Sequence, residues 1–130
     1  GEAEGIRGEG NYYGYLPNLL EMIRSNFASF GFPLERNNIH LVKGLFQDTM
    51  TLQEPVSFAH LDCDWYESVI TCLKQIEPLL SPGGILVIDD YFDWPGCKKA
   101  IDEYFSDKLD QYEFSIRSRL HIRKKTTLRK

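Results

Sequence analysis

Val56-Ser57-Phe58-Ala59-His60-Leu61-Asp62 and Ile85-Leu86-Val87-Ile88-Asp89-Asp90 are two apolar runs that each close on aspartate. The first follows Pro55 and reads as a strand over 56–62. The second is continuously apolar over 85–88, which predicts a strand buried on both faces, as in a parallel sheet covered by helices. Between them Val69, Cys72, Leu73, Ile76, Leu79 and Leu80 recur at helical spacing and form one apolar face. Asp64 stands where an N-cap is needed and Glu67 three residues on, the pattern of a capping box. Ser81-Pro82-Gly83-Gly84 ends that helix. A strand, a helix and a strand of this length make a βαβ unit. Its right-handed crossover brings both strand ends to one edge of the sheet.

Outward from this unit the pattern continues. Upstream, Leu20, Ile23, Phe27 and Phe30 predict a helix with Pro17 near its first turn and Gly31 as its stop. Residues 39–46 read as a further strand. Residues 1–15, with five glycines and three tyrosines, read as a loop. Downstream, Asp93 is placed to cap a helix whose face is Cys97, Ala100, Ile101, Tyr104 and Phe105. Two short strands, near 112–116 and 120–124, close the chain as an antiparallel pair. The alternation predicts an α/β fold with a mostly parallel sheet and one domain spanning residues 1–130.

The chain has 130 residues, 42% of them hydrophobic, and a net charge of −4. That is the composition of a globular protein. No apolar run approaches the roughly 18 residues of a membrane helix, so no membrane partner is expected. Three cysteines, Cys63, Cys72 and Cys97, lack CxxC spacing and read as reduced thiols, which points to the cytoplasm. From Ser115 to Lys130 there are seven basic residues and no acid. There Ile116, Leu120 and Ile122 alternate with the charges, so the stretch reads as a half-exposed strand. With an acidic body, nucleic acid is not an expected partner.

The aspartates carry the chemistry. Asp62 ends one strand and Asp89 and Asp90 end the next, at the edge where open α/β sheets bind ligands. Carboxylates gathered there repel one another unless a proton or a cation intervenes. An all-oxygen set suits Mg²⁺ before Zn²⁺. Each residue also has a plain structural role available. Asp64 and Asp93 can be helix caps. Asp89 and Asp90 point to opposite faces, so one can serve backbone amides in the loop. His60 shares a strand face with Asp62 and can be a rim histidine.

His60-Leu61-Asp62-Cys63-Asp64-Trp65-Tyr66-Glu67-Ser68, Pro78-Leu79-Leu80-Ser81-Pro82-Gly83-Gly84 and Ile88-Asp89-Asp90-Tyr91 together resemble the macrocin O-methyltransferase family. Lys43-Gly44-Leu45-Phe46-Gln47-Asp48-Thr49 and Gly96-Cys97-Lys98-Lys99-Ala100 agree with it as well. His60 stands where the family usually has a basic residue, and Cys63 where it has glycine. The resemblance implies a partial class I methyltransferase (Rossmann-like) fold, corresponding to the C-terminal half. It also implies S-adenosylmethionine and a divalent cation as cofactors, and a hydroxyl of a sugar-containing small molecule as acceptor. By position the metal carboxylates fall on Asp62, Asp89 and Asp90. Asp62, with His60 or Asp64 as the nearby base, falls at the catalytic centre. Gly44, Phe46 and Asp48 fall where such folds contact the adenine.

The family's glycine-rich first βαβ unit is not found in residues 1–130, so the chain by itself is expected to be inactive. Without those strands the edge of 56–62 lies open, and the helix face from Leu20 to Phe30 lacks part of its sheet. Both predict a homodimer. Two other classes are compatible with the residues. One is a glycosyltransferase-like domain using Asp62-Cys63-Asp64 as a DxD metal motif. The other is a non-catalytic oligomerising fragment.

Overall fold

The computed structural model describes residues 16–126, and the loop expected over 1–15 lies outside them. The chain divides into two compact units, at Lys43 and Gly44.

The first unit contains helix α1 (Leu19–Ser29) and a 3₁₀ turn at Leu34–Arg36. Pro17 lies in the turn before α1. Gly31 takes φ +85°, the left-handed conformation that only glycine adopts cheaply. Phe32 N–H then donates to Phe27 O at 2.9 Å and Gly31 N–H to Ala28 O at 3.0 Å. These two bonds form a Schellman motif and satisfy the last carbonyls. The expected strand over 39–46 is not formed. Residues 39–45 are irregular, and Phe46 begins a helix instead.

The second unit carries α2 (Phe46–Thr49), β1 (Val56–Leu61), α3 (Tyr66–Ile76), β2 (Leu80–Ile88), α4 (Pro95–Phe105), β3 (Tyr112–Arg117) and β4 (Arg119–Lys124). Its four strands are ordered β1-β2-β4-β3. β1 and β2 are parallel, whereas β2–β4 and β3–β4 are antiparallel. The fold is therefore α/β with a mixed sheet that is mostly antiparallel. The expectation of a mostly parallel sheet fails because residues 39–45 add no strand, leaving one βαβ unit beside a hairpin. That hairpin, turned at Ser118 with φ +60°, is the antiparallel pair expected at the C-terminus.

One sheet face forms the core. Leu61, Leu86, Ile88, Leu120 and Ile122 meet Val69, Cys72, Leu73 and Ile76 of α3, and Cys97, Ala100, Ile101 and Phe105 of α4. On the other face Ile85 and Val87 are half-buried, so β2 is covered more fully on one side than its apolar run predicts. Ile116 is exposed, at the far end of the outer strand β3. β2 starts five residues before the expected strand, because Leu80 pairs with Val56 and the chain arches through Pro82 before Ile85 pairs with Phe58. Gly84 sits in the neck of that arch. A Cβ there would lie 2.8 Å from Ser81 O and from Leu80 Cδ1.

Both expected helix caps move. The N-cap of α3 is Trp65, not Asp64, and that of α4 is Trp94, not Asp93, with Pro95 in the first turn. Neither Asp64 nor Asp93 makes a capping bond. No helix among the described residues is long and apolar enough to cross a membrane.

Candidate functional site

Leu61 pairs with Ile88, and Asp89 N–H donates to Leu61 O at 3.0 Å, so β1 and β2 end level. The chain then turns away on both sides. Asp64 takes φ +51°, a conformation that short polar side chains tolerate. Asp90 O accepts from the N–H groups of Asp93 and Trp94 at 3.2 and 3.0 Å, which starts α4. These turns gather the aspartates. One carboxyl oxygen from each of Asp62, Asp89 and Asp90 lies within 4.8 Å of the others.

The three differ in environment. Asp62 is exposed, Asp89 half-buried and Asp90 buried. Asp90 Oδ2 is buried and meets no donor among the described residues. Burial pushes the Asp90 carboxyl up to about 6, helped by a hydrogen bond with Asp64. Partial loss of water around Asp62, exposed though the residue is, raises its carboxyl as well, with further contributions from a hydrogen bond with Asp90 and the charges of Asp89 and Asp90. Burial works against the charge on Asp89, but hydrogen bonds from Arg119 and His60 outweigh it and hold its carboxyl below the usual range. His60 Nε2 lies 3.1 Å and Arg119 Nε 3.2 Å from the same oxygen, Asp89 Oδ1.

The structure thus brings together His60, Asp62, Asp64, Asp89 and Asp90. It also adds Arg119, which the sequence reading missed. β4 carries Arg119 to Asp89 because Leu120 pairs with Ile88, a register that no local pattern announces. Asp64, freed from capping, has its carboxyl against Asp90 instead.

Gly44, Phe46 and Asp48 are all exposed, and Asp48 lies outside the carboxylate cluster. Gly44 has φ +143° and packs against the Thr49 methyl group, which would be 2.6 Å from a Cβ at that position. The cysteines lie outside the carboxylate cluster. A hydrogen bond with Cys72 and then burial raise Cys63, the same hydrogen bond lowers Cys72 against its burial, and burial pushes Cys97 up to about 12.

A family model described as Macrocin-O-methyltransferase (TylF) matches residues 9–113. Mycinamicin III 3''-O-methyltransferase of Micromonospora griseorubida is 35% identical over 91 residues, covering 68% of this chain and 35% of that protein. The 8-demethyl-8-(2,3-dimethoxy-alpha-L-rhamnosyl)-tetracenomycin-C 4'-O-methyltransferase of Streptomyces olivaceus is 37% identical over 93 residues, covering 70% and 34%. Among solved structures, the O-methyltransferase NovP superimposes with a TM-score of 0.71 at 29% identity, over 82% of this chain and 45% of that one. CalS11, a TDP-rhamnose 3'-O-methyltransferase, shares the fold with a TM-score of 0.69 at 20% identity, over 85% and 54%. The chain spans about a third of the length of the curated relatives it matches. On a match that runs through most of its residues, the chain belongs to the macrocin-O-methyltransferase (TylF) family.

Proposed function

We propose that this chain carries the metal- and acceptor-binding end of an S-adenosylmethionine-dependent O-methyltransferase acting on a hydroxyl of a sugar-containing small molecule. The observation that carries the reading is the cluster of Asp62, Asp89 and Asp90 within 4.8 Å, with the orphaned oxygen of Asp90 at its buried end. A buried carboxylate oxygen without a donor is unfavourable unless something positive meets it. The all-oxygen donor set fits a hard cation, Mg²⁺, Mn²⁺ or Ca²⁺. Asp62, Asp89 and Asp90 would hold it. When bound, such an ion supplies Lewis-acid chemistry, lowering the pKa of a chelated hydroxyl and fixing its direction.

The chain's own residues prepare the site. His60 and Arg119 converge on Asp89 Oδ1 and fix that carboxylate in its rotamer, a role suited to holding a ligand group in line. His60, whose Nε2 lies against Asp89, is one candidate base for the acceptor proton. Asp64 is the alternative base, placed against Asp90. Asp62 and Asp64 of the DxD pattern thus serve one site, and the family match supports a role in methyl transfer over nucleotide-sugar chemistry. For the cofactor, exposed Phe46 offers a ring to stack on adenine and Asp48 a carboxylate for its amine. Gly44 shapes the turn before them. These groups fit the adenine alone; none of them serves the ribose or the methionine end.

The relatives' names support the acceptor class. They name methylation of mycinamicin III, a rhamnosyl-tetracenomycin and demethyldecarbamoylnovobiocin. Three free thiols support a reducing compartment, the cytoplasm. A homodimer belongs to the same reading, supported by outer strands β1 and β3 that have no neighbour on one side among the described residues.

The test is titration of Mn²⁺ and Mg²⁺ into the 130-residue chain by calorimetry. Saturable binding is expected, weakened at least about tenfold by Asp62→Asn or Asp89→Asn, since even the loss of a group that only supports a ligand costs about that much. Binding unchanged in both variants would show that the ion, if any, sits elsewhere.

A further inference from the structure

We propose that two copies of this chain pair through the free edges of their β3 strands, antiparallel and centred on Ser115. The inference rests on the homodimer reading above and assigns its surface.

β3 is the outer strand of the sheet, and no other strand among the described residues takes its far side. Its helix-side face is incompletely covered. Phe114 is 40% and Ile116 67% exposed, and with Phe92 and Leu109 they border a groove of about 760 Å³ between α4 and β3. An unpaired edge beside exposed apolar side chains is a template for another strand. The strand is nevertheless held firmly from within. Tyr112 OH donates to Glu77 Oε2 at 2.6 Å, and Phe105 packs edge-on against both Tyr112 and Phe114.

What identifies the partner as a second copy is Glu113-Phe114-Ser115-Ile116-Arg117, which complements itself when read antiparallel. A twofold axis perpendicular to the sheet keeps both helix-bearing faces on one side. It allows only registers centred on a residue, because directly opposed residues share a face. Centred on Ser115, Glu113 meets the second copy's Arg117 at both ends, and Phe114 meets Ile116. Centred on Phe114, Glu113 meets Ser115 and Arg117 meets Gln111. Centred on Ile116, Arg117 meets Ser115 and Phe114 meets Ser118. Only the first register opposes unlike charges and keeps the apolar side chains together.

The hairpin itself asks for that charge. Arg117 lies directly opposite Arg119 across β3 and β4, an unfavourable like-charge pair. Arg119 is compensated by Asp89 and Arg123 by Glu113, but Arg117 has no acidic partner among the described residues. The second copy's Glu113, which meets its own Arg123 through Oε2 at 3.5 Å, would be shared between the two arginines. β1, the other outer strand, carries no acid–base pair and has no such self-complementarity.

The test uses sedimentation and light scattering on the 130-residue chain at tens of micromolar, with circular dichroism as a check on folding. A dimer is expected, weakened by salt because its selective contacts are exposed ion pairs. Glu113→Arg and Arg117→Glu should each weaken it at least tenfold, and the double swap should restore it. Ile116→Lys, at an exposed position, should also weaken it and stands in if a charge variant misfolds. A dimer unaffected by these variants would overturn the β3 surface while leaving the homodimer intact. A monomer throughout would overturn both.

Discussion

Asp90 is a charge in the wrong solvent. Its carboxyl is buried, its Oδ2 meets no donor among the described residues, and its proton is held up to about pH 6. A carboxyl whose folded pKa exceeds its unfolded value near 3.9 stabilises the fold while protonated, and that stability is lost as pH rises through the folded pKa. Metal-free protein should therefore lose stability between about pH 4 and 6, on the order of 1–3 kcal/mol from this group. Asp62 acts in the same direction, while Asp89, with a lowered pKa, contributes stability that is lost only at lower pH. Thermal melts in chelator should show this decline, and Asp90→Asn should flatten it. The same variant should be more stable than wild type at pH 7.5 and no longer respond to Mn²⁺. A steeper decline in Asp90→Asn would show that the buried charge lies elsewhere. The sequence displayed all three aspartates, since an acid closing an apolar strand is conspicuous. It did not display how they differ, because burial and the reach of Arg119 depend on how β4 registers against β2.

At the scale of elements, the joint between α3, α4 and β3 is polar at its centre. Glu77 is buried, and it accepts from Tyr104 at 3.0 Å and Tyr112 at 2.6 Å. Burial first, and then the Glu77 carboxylate, raise both tyrosines, so they stay protonated donors. Tyr112→Phe removes one donor and leaves a buried carboxylate oxygen unmatched. A loss of about 1–3 kcal/mol is expected in urea unfolding, and a larger loss for the Tyr104→Phe/Tyr112→Phe pair. A neutral result for the pair would mean water replaces both hydroxyls. The helices of this joint were legible because Val69, Cys72, Leu73 and Ile76 repeat with helical period. Their starts were misplaced: Asp64 and Asp93 match the cap pattern, yet the N-cap of each helix is the next residue, a tryptophan. Asp64 has another attraction in Asp90, which a local pattern cannot weigh. Residues 39–46 misled for a related reason. Ile39, Leu41 and Val42 have strand composition, but a strand needs a neighbour, and Val42 is exposed.

For the whole molecule, the described site is one-sided. Three acids with His60 and Arg119 lie at the end of the sheet, and Gly44, Phe46 and Asp48, the residues proposed for the adenine, are exposed. Among the described residues no glycine-rich turn leads from a strand into a helix, the kind of turn that grips a dinucleotide-like cofactor. The isolated chain should then show no saturable S-adenosylmethionine binding at micromolar concentration and no methyl transfer. Tight binding in calorimetry would mean that the cofactor's methionine end is held by groups not recognised above.

The arch at Pro82 also bears on how the gene can vary. Between Leu80 and Ile85 the chain is already out of step with β1, so a codon gained or lost near Ser81–Gly83 changes the size of the arch and little else. A codon gained between Ile85 and Ile88 has a different outcome. Strand faces alternate, so every later side chain would change sides. Asp89 would turn from Arg119 toward the core, and Asp90 would turn out of it. Length variation should therefore accumulate in the arch and be purged from the four residues after it.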